Sequence, residues 1–77
     1  MVTRDNIRLF IDGIQTNNPG LLIASAIGLK NTDDESHIPI LIDALKRLND
    51  SEAILDEIQR KEVNTQIISA IDTLSRF

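Results

Sequence analysis

Three aspartates occupy one place in a repeated phrase. The segment "IRLFIDGIQTNN" overlays "IPILIDALKRLN" at a shift of 31 without a gap, which sets Asp12 on Asp43, and "AIDTL" brings Asp72 to the same place after a further 29. Converging carboxylates can share proton transfer as a general acid and base. Equivalent positions along stacked helices instead form a solvated polar row, and no nucleophile, second base or oxyanion-binding glycine loop accompanies these three. His37 is the sole imidazole and sits just before Ile38-Pro39, where it is expected to be exposed or to cap a helix. A phosphorelay would want a longer bundle and a basic neighbour on the same helix. Zinc needs several nitrogen or sulfur ligands, and the chain has no cysteine. Asp33, Asp34 and Glu35 lack the alternating oxygen ligands and glycine turn of a calcium loop. No catalytic, cofactor or metal site is expected.

Asp50-Ser51 is similar to the Asp-Ser-Leu attachment motif of acyl carrier proteins, small acidic helical chains that hold phosphopantetheine on the serine. Glu52 stands where leucine would, and only 26 residues follow Ser51. A helix cap accounts for the pair.

The bulk properties narrow the class further. Seventy-seven residues make room for a single domain over 1–77, in which burial is incomplete enough that stability is marginal without staples or partners. A net charge of −4 and a pI near 4.7 repel a phosphate backbone. Phe10 and Phe77, the only aromatics, offer no stacking platform for single strands, so nucleic acid is not an expected partner. The absence of cysteine excludes disulfides and points to a reducing, cytoplasmic setting. The charge-free run "GIQTNNPGLLIASAIGL" is 17 residues long. It is too short for a bilayer, is interrupted by Asn17-Asn18-Pro19-Gly20, and no membrane is expected. "MVTRDNIRLF" mixes charges of both signs and is not expected to act as a signal.

Helical punctuation runs throughout, and no segment alternates with period two. Thr3 is a candidate cap for a helix over about 4–16, with Ile7, Phe10, Ile11 and Ile14 on one face. Gly13 inside it costs about 1 kcal/mol relative to alanine, which points to close helix packing rather than a hinge. Asn18 and Pro19 suit the cap and first position of a helix over 19–29. A third helix, 36–48, buries Ile38, Leu41, Ile42 and Leu45. A fourth, 51–61, takes Asn49 or Asp50 as its cap, and a fifth, 64–76, takes Asn64 or Thr65 and groups Ile67, Ala70, Ile71 and Leu74. The predicted fold is all-α with five short helices.

Helices one, three and five then look like copies, and here the chain resembles the HEAT-like repeats of about 30 residues found in phycobilin-lyase-type proteins. "IPILIDAL" matches the outer helix of that family and "NPGLLIASAIGL" the inner one. Two departures stand out: Leu21, Leu22 and Ile23 replace the family's Val-Arg pattern, and the fourth helix lacks the small-residue motif. The resemblance implies about two and a half stacked hairpins; a closed five-helix bundle is the alternative. A second shift, of 44, aligns "IASAI" with "IISAI" and would pair the helices differently.

In the family's inner helices the positions of Leu22, Ile23 and Ile27 are commonly charged because they face the concave side. Moving 31 residues on, Ile23 maps to Ile54 and Ile27 to Ile58, so two inner helices each carry an isoleucine pair at i, i+4. Leu22, Ile23, Ile27, Ile54 and Ile58 are therefore the expected partner-binding residues. The function expected is a non-enzymatic interaction module, a small adaptor, inhibitor or regulatory subunit that binds a protein partner or its own copy as a homodimer. The alternative is a compact acidic bundle of the immunity or antitoxin kind. There Asp33, Asp34, Glu35, Glu52, Asp56 and Glu57 would neutralise a basic partner.

Overall fold

A computed structural model describes residues 4–50 and 55–76. They form α1 (Arg4–Ile14), α2 (Pro19–Lys30), a 3₁₀ turn (Glu35–His37), α3 (Ile38–Asp50) and α4 (Glu57–Leu74), with no strand among them. Asn18 caps α2 by accepting from the Leu21 amide at 3.1 Å, and Pro19 fills the first helical position, where no amide hydrogen is required. Asp33 takes a left-handed conformation (φ 57°), one of the few non-glycine types that does so cheaply. Asp34 then caps the 3₁₀ turn through the Ser36 amide.

The sequence predicts a break between helices 51–61 and 64–76, whereas α4 runs unbroken from Glu57 to Leu74. Asp56 starts it with a capping box, accepting from the Gln59 amide at 2.7 Å while the Gln59 side chain accepts from the Asp56 amide. The residues that imitate caps have other partners. Asn49, near the end of α3, and Asn64, within α4, exchange amide hydrogen bonds at 2.9 Å in both directions. The Thr65 hydroxyl bonds back to the Lys61 carbonyl one turn earlier. Ile71, Asp72 and Leu74 thus belong to the same helix as Ile58 and form no separate third copy. The predicted start of the fourth helix at 51–54 lies outside the described residues, as does Thr3.

The four helices form a square. α1 packs on α2, α2 on α4, α4 on α3, and α3 more slightly on α1. One core fills the centre: Ile14 from α1, Leu22, Ala26 and Leu29 from α2, Leu41, Ala44 and Leu48 from α3, and Val63, Ile67, Ala70 and Leu74 from α4. Leu55 closes it where the chain enters α4. Ile38, Ile42 and Leu45, predicted for the core, are only partly buried, and of that stripe Leu41 alone is fully inside. The Cα radius of gyration is 11.5 Å, which matches about 11.5 Å for a compact domain of this length and leaves no room for an extended superhelix.

Close approach sets the α1–α2 contact. Gly13 faces Ser25, and the Phe10 ring lies flat on Gly28. Because Phe10 meets Gly28 while Gly13 meets Ser25, the two helices are antiparallel. At the far corner Arg47 joins α3 to the end of α1. Its Nη1 donates to the Gln15 carbonyl at 2.9 Å, and its Nη2 to those of Ile14 and Thr16 at 3.1 and 2.8 Å. These carbonyls are among those left free at a helix C-terminus, where a cation is also favoured by the dipole.

A methyl group at residue 28 would lie 2.6 Å from three Phe10 ring carbons, too close for either to remain in place. Gly28→Ala is therefore expected to destabilise the fold by about 1–3 kcal/mol through overpacking, although alanine is the better helix former. Urea unfolding followed by circular dichroism reads the sign. A stabilised variant would contradict the contact.

Candidate functional site

α2 is apolar on nearly every side, so its neighbours decide which residues remain outside. Leu22, Ala26 and Leu29 point into the core, with α1 covering Gly28. Ile23 and Ile27 are left on the side toward α4, Ile23 half-buried and Ile27 43% exposed. On α4 the core stripe is Val63, Ile67, Ala70 and Leu74. Ile58 precedes it by five residues, about 140° round the helix, and is 74% exposed.

The two helices run in the same sense. Ile23 shares a groove with the first half of α4, while the Lys30 ammonium, a turn and more further on, donates to Ser69 Oγ at 3.1 Å. That groove encloses about 590 Å³ and is lined by Ile23, Ile58, Lys61, Glu62, Thr65 and Gln66. Ile23 and Ile58 are its aliphatic members, and the other four are polar or charged. Such a form accepts an apolar side chain and orients it by the polar groups around it.

The five residues predicted to bind a partner separate. Ile23, Ile27 and Ile58 lie on the α2–α4 side, and Ile54 lies outside the described residues. Leu22 is fully buried and belongs to the core, which corrects its assignment to the surface. It shares the inward stripe with Ala26 and Leu29 at helical spacing, and the family register that turned it outward does not describe this helix. Nor does the shift of 31 carry through to α4, because the helix caps Asn18 and Asp56 stand 38 positions apart. α3 extends to Asp50, and six positions separate it from Glu57 where four separate Ile14 from Pro19. Lys61, Glu62, Thr65 and Gln66 escape the sequence reading because it splits α4 among them. Spacing of three and four along an unbroken helix is the signal that places them with Ile58.

The titratable residues do not converge. Asp12, Asp43 and Asp72 are exposed on α1, α3 and α4, and Asp72 pairs with Arg76 at 2.8 Å. Among the described residues no three His, Asp or Glu side chains come together as a metal cluster would. His37 is buried rather than exposed, because the 3₁₀ turn tucks its ring against the end of α2. Its Nδ1 lies 2.9 Å from Thr32 Oγ1, whose only hydrogen goes to the Leu29 carbonyl, so Nδ1 carries the proton. The Asp34 carboxyl is held below the usual carboxylate range by hydrogen bonds from the Ser36 side chain and backbone, with a smaller effect of His37. A recess of about 350 Å³ between α1 and α3 is lined by Gln15, Asp43 and Arg47 among others. The terminal nitrogens of Arg47 are turned onto the end of α1 there, and its Nε is buried without a partner.

No family model matches the chain, and no match is found among curated proteins or solved structures. Among the described residues no helix is long and apolar enough to cross a membrane.

The different positions of Ile58 and Leu22 can be tested directly. Ile58→Asp is expected to change the stability of the monomer by no more than about 0.5 kcal/mol, as at other open surface sites. Leu22→Asp, which buries an unpaired charge, is expected to unfold the chain. Equal urea midpoints for the two variants would refute the assignment.

Proposed function

We propose that this chain is a non-enzymatic protein–protein interaction module, a small adaptor, inhibitor or regulatory subunit, that receives an apolar segment of a protein partner between α2 and α4. The observation that carries this reading is Ile58, the most exposed large apolar residue described, standing beside Ile23 over an open groove. Ile27 extends the surface along α2. Apolar patches of a few hundred Å² mark interaction sites more often than chance. An amphipathic helix can lay its apolar face in such a groove.

We read the architecture as a short HEAT-like stack. Two hairpins, α1–α2 and α3–α4, lie against each other with α1 beside α3 and α2 beside α4, which supports that reading. In stacks of this kind the inner helices form the binding face, and α2 and α4 hold that position.

The acidic, immunity-like alternative has less to act with. Asp34 and Asp56 hold the starts of the 3₁₀ turn and α4, so their carboxylates are already engaged. Asp33, Glu35 and Glu57 remain exposed, and Glu52 lies outside the described residues.

Affinity capture with the wild-type chain and with Ile23→Asp separates the two. A partner of the groove is retained at about 0.5 M salt, where surface charges are screened, and is lost with Ile23→Asp while the variant stays folded. A partner that leaves with salt and ignores residue 23 would favour the acidic surface instead.

A further inference from the structure

We draw no further inference here: the strongest candidate, the exposed row of Ile58, Lys61, Thr65 and Ile68 on the outward face of α4, shares three of its four residues with the α2–α4 groove already described, and nothing in the structure shows what covers it.

Discussion

The arrangement depends on α2 lying along α4 in the same direction. Here Leu22, Ala26 and Leu29 from one helix and Val63, Ile67 and Ala70 from the other enter a single core, and the Lys30–Ser69 bond fixes the register beside it. Burial of those side chains supplies the driving force, each worth about 1.5–3 kcal/mol for a leucine or isoleucine. What cannot enter is left outward, Ile27 on α2 and Ile58 on α4 among them.

Around that contact the other two helices act as a frame. α1 closes on α2 through glycines, which let the backbones approach until Phe10 lies against Gly28. α3 is tied at both of its sides near its end, by Arg47 to the last carbonyls of α1 and by the Asn49–Asn64 amide pair to α4. Charge-assisted bonds of the Arg47 kind are among the stronger ones available to a small chain. These contacts brace the α2–α4 pair from both sides.

Much of this was legible beforehand and some of it was not. Asn18-Pro19 located the start of α2, and the stripe of Ile67, Ala70 and Leu74 located the buried side of α4. The division of α4 was a matter of local chemistry overridden by tertiary partners: Asn64 and Thr65 favour caps in isolation, but a second asparagine on α3 and a carbonyl one turn away satisfy them inside a helix. Leu22 was misplaced for a different reason. A helix apolar on nearly all sides carries no periodic signal of its own, and only the positions of α1 and α4 decide that Leu22 is inside and Ile27 outside. Ile58 was reached through the shift of 31, which does not carry through to α4; what leaves it outside is its place about 140° from the buried stripe of the unbroken helix. Ile68, Lys61 and Thr65 became visible as one row only once the helix was known to be continuous.

The most direct measurement is the accessibility of isoleucine methyl groups in the dilute monomer, read by NMR with a soluble paramagnetic probe. The Ile58 and Ile27 methyls should be strongly relaxed and those of Ile14 and Ile67 protected, with a cross-relaxation contact between Ile23 and the first half of α4. Protection of Ile58 in the monomer, or contact of Ile23 with the last turn of α4 instead, would contradict the parallel packing of α2 and α4.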